Sequence, residues 1–314
     1  MKNSLSAVRK ALPLVFGLAV AGAFAVAVHR MGASLGKLAS PVWLPLVGSF
    51  AISAAVQPLR ALAWRSAMEG QSCFRSVFAA SSIGSFLDTV LPGRLGEASK
   101  IAVLRVASGG GEKWVGAGRA GGALVTSLLL EAVAFALVGA VAAPFLAVPG
   151  WAKAAIIGSS LLALAGIGAL VALDRLLGRR LPRALASFVA GAAAPSRPLV
   201  RAGAIMLSTW LARWFALLLI LHAYGVKAGL GGALLYMVVT GLANVAPLLP
   251  GNAGIYQGAA VGVLGILGFT GSSAVAVSLA APLVGSLATG FAALIALSLF
   301  GRRVGEVSRA DRTG

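Results

Sequence analysis

Long apolar runs recur along the chain, and they restrict its fold more than any other sequence feature. A helix needs about 20 predominantly apolar residues to cross the roughly 30 Å hydrocarbon core of a bilayer. Hydrophobic residues make up 59% of the sequence and charged residues only 11%, a composition that excludes an ordinary soluble domain. We therefore predict an all-α polytopic membrane protein with about six spanning helices, at residues 11–28, 42–62, 120–148, 154–173, 202–221 and 273–300.

The first apolar run has a second interpretation as a secretory signal peptide. It follows a basic N-terminus, and Ala23-Phe24-Ala25 resembles a small-residue cleavage site. The run is long for a signal peptide, however, and it continues past that site. A spanning helix with its N-terminus inside is therefore the favoured interpretation.

Two interruptions with the same pattern break the apolar runs. The segments Leu91-Pro92-Gly93-Arg94-Leu95-Gly96 and Leu249-Pro250-Gly251-Asn252-Ala253-Gly254 share the sequence Leu-Pro-Gly-x-x-Gly. Proline ends one helix and suits the first turn of the next, and glycine tolerates unusual dihedral angles. Non-helical backbone at membrane depth must be buried in protein or line a wet cavity. We therefore predict re-entrant helical hairpins at 74–106 and 231–269, with tips at Pro92, Gly93, Gly96, Pro250, Gly251 and Gly254. A pair of full crossings at either place stays open as an alternative.

The positive charge is distributed as membrane insertion requires. A net charge of +18 would suggest nucleic acid binding in a soluble protein, but cytoplasmic loops of membrane proteins also collect Lys and Arg. If both interruptions turn back within the membrane, 21 of the 26 basic residues lie on the cytoplasmic side and Arg213 lies in a span. The four basic residues on the outer side are Arg30, Lys37, Lys153 and Lys227. Arg60, Trp64 and Arg65 then mark a cytoplasmic helix end. We expect both termini in the cytoplasm and no nucleic acid partner.

The order of the segments repeats in inverted form. Residues 42–148 contain an inward span, a hairpin entered from the cytoplasm and an outward span, and residues 202–300 contain the same unit upside down. Many transporters have such a repeat, and their paired broken helices mark the substrate site. Residues 174–201 form a basic cytoplasmic linker, which is either an amphipathic helix on the membrane face, with an apolar stripe of Leu181, Leu185 and Phe188, or a solvated loop. The whole chain, residues 1–314, is predicted to be one transmembrane domain.

Polar residues of the first hairpin are candidates for a lipid site. Freed N–H groups at the start of a half-helix bind anions, and a lipid phosphate is the obvious anion in a bilayer. Arg94 is well placed to meet that phosphate, or else pairs with Glu97 three residues later. Glu97 is also a candidate partner for a cationic head group. Asp88 is expected to cap the broken helix through its side chain.

Further candidates lie in the spans and in the second hairpin. Arg213, between two tryptophans, either reaches a lipid phosphate or snorkels along the indole rings. Glu131 is expected to pair with Arg119 or Arg213. Uncharged donors and acceptors suited to lining a head-group cavity are Asn252, Tyr256 and Gln257. Because the charges lie on the first hairpin, we expect it to select the lipid and the second hairpin to act mainly as a gate.

Both Pro-Gly segments resemble those of a known family. The stretch from Phe86 to Arg105, which includes the first motif followed by Glu97 and Lys100, and the later Pro250-Gly251-Asn252-Ala253-Gly254 are similar to the lysylphosphatidylglycerol synthase transmembrane region, also called the flippase-like domain. The resemblance extends over roughly residues 10–300. It implies handling of phospholipids or other anionic lipids, polyprenyl- or hopanoid-linked lipids included, at the bacterial inner membrane. The soluble aminoacyl-transfer domain of the full-length synthases is not expected.

The sequence departs from the family pattern at three positions. Ala132 and Phe135 stand where Glu131 is often followed by an arginine and an aspartate, and Gln257 stands where an acidic residue is common. These differences argue against a lysyl-lipid substrate, because they remove acidic partners for a cationic head group.

The sequence therefore predicts a lipid flippase or transporter and not an enzyme. One alternative is a membrane-embedded lipid-phosphate hydrolase or transferase, which needs a serine nucleophile or clustered acids near a hairpin tip. The second tip has neither, and the first offers only Asp88, Thr89, Glu97 and Ser99. The other alternative is a non-transporting scaffold. No cofactor or metal is expected, since His29 and His222 lie in separate segments. Membrane lipids are the expected partners, and homo-oligomerisation stays open.

Overall fold

The computed structural model describes residues 41–90, 95–108, 115–142, 182–192, 196–243 and 255–313, with scattered positions between 150 and 172. Within these residues the chain is helical and forms no strand, which confirms the predicted all-α class. The helices are α1 (Trp43–Ala67), α2 (Phe74–Val90), α3 (Leu95–Ala107), α4 (Ala117–Ala142), α5 (Arg183–Ala192), α6 (Ser196–Ala223), α7 (Leu230–Ala243), α8 (Ile255–Ile266) and α9 (Gly271–Thr313). The predicted span at 11–28, most of the span at 154–173, and residues 91–94 and 249–254 of the motifs lie outside the described residues.

Four of the described helices are long and apolar enough to cross a bilayer. These candidate spans are Trp43–Ala67, Ala117–Val141, Arg197–Ala223 and Gly271–Leu299, and they lie in α1, α4, α6 and α9. They correspond to four of the predicted spans and make this a multi-pass membrane protein. The helices extend past most of the predicted boundaries, because an apolar run marks only the lipid-facing part of a helix. In particular, α6 begins at Ser196, so the last residues of the predicted linker belong to that helix.

The helices on either side of each Pro-Gly segment are short. α2 and α3 contain 17 and 13 residues, and α7 and α8 contain 14 and 12. At 1.5 Å per residue these helices are about 18–26 Å long, which is less than the roughly 30 Å of the hydrocarbon core. α2 packs against α3, and α7 packs against α8. The described helices that flank each Pro-Gly segment therefore pack against each other and are shorter than the hydrocarbon core is thick.

The two halves of the described structure have the same helix-packing pattern. α1 packs against α6, and the remaining contacts among α1–α4 and α6–α9 occur in matching pairs, whereas the contact of α5 with α4 has no counterpart. Thus α2 packs against α9 as α7 packs against α4, and α3 packs against α4 as α8 packs against α9. α1 contacts α2, α4 and α9, and α6 contacts α7, α9 and α4. Exchanging α1–α4 with α6–α9 in order therefore reproduces the same set of helix contacts.

A pair of glycines brings α2 and α3 close together. A Cβ atom added at Gly96 would overlap the carbonyl oxygen of Gly84 and the amide nitrogen of Asp88. A Cβ atom at Gly84 would overlap the side chain of Lys100. The sequence placed Gly96 at the hairpin tip, but it lies in the first turn of α3. Because Gly96 has no side chain, α3 can pack closely against α2 at this point.

The C-terminal end of α1 differs from the predicted interfacial end. Trp64 is only 2% exposed, and its indole N–H donates a hydrogen bond to the carbonyl oxygen of Ala120 at 3.3 Å. The prediction that Trp64 lies at the lipid–water interface is wrong, because this face of α1 packs against α4. The chain then turns at Glu69, whose φ of 56° is left-handed, and Arg119 pairs with the Glu69 carboxylate at 2.8 Å.

The basic linker contains the predicted helix, but that helix packs against protein. Val189, Gly191 and Ala192 of α5 are buried, and Thr126 of α4 donates a hydrogen bond to the carbonyl oxygen of Ala192 at 2.8 Å. Phe188 of the predicted apolar stripe lies near Gly121 of α4, whereas Leu185 is exposed and Leu181 lies outside the described residues. Because its glycine-containing face meets α4, α5 attaches the linker to the first half of the molecule.

Candidate functional site

A cavity of about 480 Å³ lies between the helices, and the ionisable residues of its lining are unusual for a membrane interior. We call it the central cavity. Its size falls within the range of about 300–1,000 Å³ that is typical of ligand sites. Residues from both helical hairpins and from α1, α4, α6 and α9 line it. Its charged lining residues are Arg60, Asp88, Glu97, Glu131 and Arg213.

Glu131 of α4 joins two arginines from different halves of the chain. Its Oε2 atom accepts a hydrogen bond from Nη2 of Arg60 on α1 at 2.8 Å, and its Oε1 atom accepts one from Nη1 of Arg213 on α6 at 3.0 Å. The Glu131 side chain is 14% exposed, and those of Arg60 and Arg213 are 15% and 27% exposed. We refer to Arg60 and Arg213 as the arginine pair. Glu131 compensates one of these two positive charges, and the carboxylates of Asp88 and Glu97 also line the cavity, so the charged lining as a whole has no excess of positive charge.

Aromatic rings hold Arg213 in place. Its guanidinium carbon lies 4.9 Å from the ring centroid of Trp210, a distance at which the π face attracts a cation. Trp210 in turn packs against Phe135, with ring centroids 4.7 Å apart. Phe135 is one of the positions where the sequence departs from the family pattern. The aromatic contacts and the Glu131 carboxylate together fix the orientation of Arg213 at the edge of the cavity.

α2 and α3 supply two further carboxylates to the charged lining of the cavity, those of Asp88 and Glu97. The Oδ1 atom of Asp88 accepts a hydrogen bond from the backbone N–H of Glu97 at 3.1 Å, which is the predicted capping of the second half-helix. Glu97 pairs through Oε1 with Nζ of Lys100 at 2.6 Å, and the Lys100 side chain is 4% exposed. The Oε2 atom of Glu97 is buried and has no hydrogen-bond partner among the described residues. Glu97 therefore has one carboxylate oxygen that no described residue satisfies.

Uncharged polar residues form another part of the lining. Gln57 of α1 donates from Nε2 to the hydroxyl oxygen of Thr289 on α9 at 3.2 Å, and Thr289 donates to the carbonyl oxygen of Gly285 at 2.8 Å. Ser85 of α2 also lines the cavity. We call Gln57, Ser85 and Thr289 the polar wall. It lies where α1, α2 and α9 contact one another.

The structure brings together five of the predicted site residues, and the cavity lining contains Asp88, Glu97, Glu131, Arg213 and Tyr256. Glu131 pairs with Arg213, one of its two predicted partners, while Arg119 pairs with Glu69 instead. Gln257 is half-buried on α8 and is not among the lining residues. Arg94, Asn252 and the tip residues Pro92, Gly93, Pro250, Gly251 and Gly254 lie outside the described residues.

The sequence analysis missed Arg60 and Gln57 as site residues. Arg60 was assigned to a cytoplasmic helix end, but it lines the central cavity and pairs with Glu131. A signal was present in the sequence, because Ser53, Gln57 and Arg60 are spaced four and three residues apart and so share one face of α1. A polar stripe of this kind on an apolar helix indicates a face turned toward protein or a cavity.

The arginine pair has the chemical groups that an anion site requires. No group of three or more His, Cys, Asp or Glu residues that could hold a metal occurs in the ranges that the structure describes. The arginine pair supplies planar N–H donors, which match the oxygen atoms of a phosphate or carboxylate. Because Glu131 and Trp210 already orient these donors, an anion would find them in place.

Comparison with known proteins relates this cavity to a lipid-handling family. The family model described as the lysylphosphatidylglycerol synthase TM region matches residues 11–301, which is nearly the whole chain. No curated protein matches the chain significantly, and no solved structure does so. The matched residues include every residue that lines the central cavity. The chain therefore belongs to the lysylphosphatidylglycerol synthase transmembrane-region family, and it is a membrane protein of a lipid-related family.

Proposed function

We propose that this protein binds a phospholipid or another anionic lipid by its phosphate in the central cavity and moves the head group between the leaflets of a bacterial inner membrane. The observation that carries this proposal is the arginine pair held by Glu131 between two short-helix pairs. Both chain termini lie in the cytoplasm under this proposal. The lipid is cargo and undergoes no covalent change.

The arginine pair has the chemistry that a lipid phosphate requires. A guanidinium has five N–H donors, and Glu131 accepts only some of those that the pair offers. An ionised group inside a membrane protein is costly unless it is paired or lines a polar cavity. A phosphate at this position would accept the N–H donors of the arginine pair that Glu131 leaves unused.

The packing pattern supports a transport role. The matching contacts of α1–α4 and α6–α9 are those expected of two related units, and the short helices lie at corresponding positions in both. In transporters with inverted repeats, broken helices at corresponding positions form the substrate site, and one unit moves against the other. Under this proposal the α2–α3 and α7–α8 pairs are re-entrant hairpins, and their movement opens the cavity to one leaflet at a time.

The first hairpin favours binding over hydrolysis. Each side chain considered as a nucleophile or acid makes a local structural bond: Thr89 donates to the carbonyl oxygen of Phe86 and Ser99 to that of Gly96, both at 2.7 Å. Asp88 accepts a hydrogen bond from the first turn of α3, and Glu97 pairs with Lys100. A nucleophile needs an adjacent base that activates it. Here the hydroxyl protons are directed to backbone carbonyl groups of their own helices.

Lipid translocation in proteoliposomes tests the proposal. The purified protein is reconstituted with a trace of acyl-labelled fluorescent phosphatidylglycerol, and dithionite added outside bleaches only the outer leaflet unless lipid crosses. Wild-type protein should accelerate the bleaching of the inner-leaflet label. The assay is run without a gradient, with an imposed proton gradient and with a potassium diffusion potential, and acceleration is expected under at least one of these conditions. Arg213→Gln removes charged hydrogen bonds of about 1.5–3 kcal/mol and should slow translocation roughly ten- to a hundredfold.

A matched variant separates the cavity from general charge effects. Arg201 lies exposed on the same helix as Arg213, so Arg201→Gln should translocate lipid like wild type. Arg213→Lys keeps the charge and should retain part of the activity, which shows that the fold survives substitution there. Equal bleaching of liposomes with and without wild-type protein under every gradient would refute the transport proposal.

A further inference from the structure

We infer that the carboxyl groups of Asp88 and Glu97 bind one proton between them and that this proton crosses the membrane together with the anionic lipid. The inference rests on the proposed function, because it concerns what moves with the lipid and not which lipid moves. It assigns the protein a second transported ion and thereby an energy source, since a proton gradient would then drive the lipid.

The two carboxyl groups of this proton site face each other where α2 meets α3. Oδ1 of Asp88 accepts a hydrogen bond from the backbone N–H of Glu97, and the two side chains lie within hydrogen-bonding reach of each other. Ionised carboxylates have only acceptors, so two of them form a hydrogen bond only when one holds a proton. Oε2 of Glu97 is buried and receives no hydrogen bond from any described residue. A proton on Asp88 supplies the missing donor.

Charged groups of the neighbouring helices decide which carboxyl group holds the proton. Lys100 of α3 pairs with Oε1 of Glu97 at 2.6 Å and keeps that carboxylate ionised. Arg60 of α1 lies near both carboxyl groups. Glu131 of α4 also faces Glu97, but the arginine pair compensates its charge. α9 packs against α2 and has no ionisable residue in its spanning part. The proton therefore belongs on Asp88, which has no cation paired with it in the described structure.

Water can reach Asp88 from the central cavity. Asp88 is half-buried and lines the cavity. Ser85 of the polar wall lies three residues earlier on the same face of α2; it is 7% exposed, and its hydroxyl oxygen has no hydrogen-bond partner among the described residues. Oε1 of Gln57, another lining residue, is likewise buried and unpaired. Water binds to such groups in a polar cavity of this size, and it can deliver a proton to Asp88.

Charge balance couples the proton to the lipid. Three cations and three carboxylates surround the cavity, and these residues are Arg60, Lys100, Arg213, Asp88, Glu97 and Glu131. A bound phosphodiester adds one negative charge that nothing in this group compensates. A proton on Asp88 compensates it, and an uncompensated charge inside a membrane protein is costly. The empty cavity and the cavity loaded with both lipid and proton are therefore the two neutral states.

The transfer step needs no further reactant. The proton passes from water in one compartment to the Asp88 carboxylate, where the new O–H group donates to Glu97. It returns to water when the cavity opens on the other side and the lipid leaves. Because loading is favoured on the acidic side and release on the alkaline side, net lipid movement follows the proton gradient.

Proton uptake on lipid binding tests the inference. The full-length protein in a non-ionic detergent is mixed with phosphatidylglycerol in a weakly buffered solution, and a pH-sensitive dye reports the protons taken up. A phosphodiester does not titrate near neutral pH, and diacylglycerol, which has no phosphate, is the control lipid. Wild type should take up as much as about one proton per bound lipid, so its affinity for phosphatidylglycerol should fall by up to about tenfold for each unit of rising pH.

Two variants separate Asp88 from other carboxyl groups. Asp88→Asn cannot titrate, but it keeps an acceptor oxygen for the cap of α3 and gains an N–H donor for Glu97. It should bind phosphatidylglycerol without proton uptake and with the same affinity at every pH. Glu69→Gln removes a carboxylate that does not line the cavity and should keep the wild-type uptake.

The outcomes distinguish the proton site from the lipid site. Binding of phosphatidylglycerol to wild type without proton uptake, and with one affinity at every pH, overturns the inference and leaves the proposed function standing. Uptake that persists in Asp88→Asn assigns the proton to another group and overturns the inference as well. Failure of wild type to bind phosphatidylglycerol refutes the phosphate site of the proposed function, and the coupling with it.

Discussion

Replacing Glu131 with glutamine should reveal how strongly the arginine pair depends on one carboxylate. The substitution keeps the size of the side chain but removes the charge that compensates Arg60 and Arg213. Breaking a buried ion pair by removing one partner typically costs about 3–5 kcal/mol, because the remaining charge stays buried. The arginine side chains are 15% and 27% exposed at the cavity, where water screens them in part. We therefore expect a loss of about 3 kcal/mol in the free energy of unfolding.

The chain contains a second arginine–glutamate pair, which is more exposed and in which the carboxylate has a single arginine partner. Glu69 and Arg119 are joined at 2.8 Å, as Arg60 and Glu131 are, but their side chains are 33% and 35% exposed. Exposed pairs contribute about 0–1 kcal/mol, so Glu69→Gln should have a small effect. Unfolding of both variants in mixed micelles is followed by circular dichroism as the denaturing detergent is increased. Equal stability losses for Glu131→Gln and Glu69→Gln would contradict the argument from burial.

A double variant and an added lipid refine this prediction. The stability loss of Glu131→Gln is expected to arise from uncompensated positive charge, so adding Arg213→Met should restore part of it. The double variant should then be more stable than the sum of the two single effects implies. Phosphatidylglycerol should also stabilise Glu131→Gln more than wild type, because the bound phosphate replaces the missing negative charge. Strictly additive effects together with equal lipid stabilisation would show that Glu131 does not compensate the arginine pair.

Two further substitutions test the first hairpin by the same unfolding measurement. Gly96→Ala should destabilise the protein by about 1–3 kcal/mol, because its Cβ atom would overlap backbone atoms of α2. Gly258→Ala is the control, because a Cβ atom there meets nothing within 4 Å. Equal effects of the two substitutions would contradict the close approach of α2 and α3. Asp88→Ala should cost about 1 kcal/mol through loss of the cap on α3, whereas Asp88→Asn keeps an acceptor oxygen and should lose less. Equal losses for the Ala and Asn variants would exclude a capping role for Asp88.

The spanning helices could be predicted from local sequence, and the helix ends less well. Hydropathy located α1, α4, α6 and α9 because a lipid-exposed helix must be apolar over about 20 residues. It could not place Trp64, since the same residue type suits a membrane interface and a protein interior. Which of the two applies depends on the neighbouring helix, here α4.

The candidate site was only partly predictable. Glu131 and Arg213 were identified because charges inside apolar runs are rare, and Arg60 was missed because its position near Arg65 resembled a helix end. The role of Gly96 depended on the distance between α2 and α3, which the motif does not specify. The inverted relationship and the re-entrant geometry of the hairpins stay predictions that the matching helix contacts support.

The sequence by itself determined that this chain forms apolar helices, because only a helix satisfies its backbone hydrogen bonds within the segment that lipid surrounds. It also predicts an interruption at each of the two Pro-Gly segments, whose motif residues 91–94 and 249–254 lie outside the described residues. The tertiary structure alone decided which charges meet. Glu131 is separated from Arg60 by 71 residues and from Arg213 by 82, and their contact depends on the packing of α1, α4 and α6. Ion pairing acts over a few ångströms in space, so helix packing determines which charged residues become partners in the cavity.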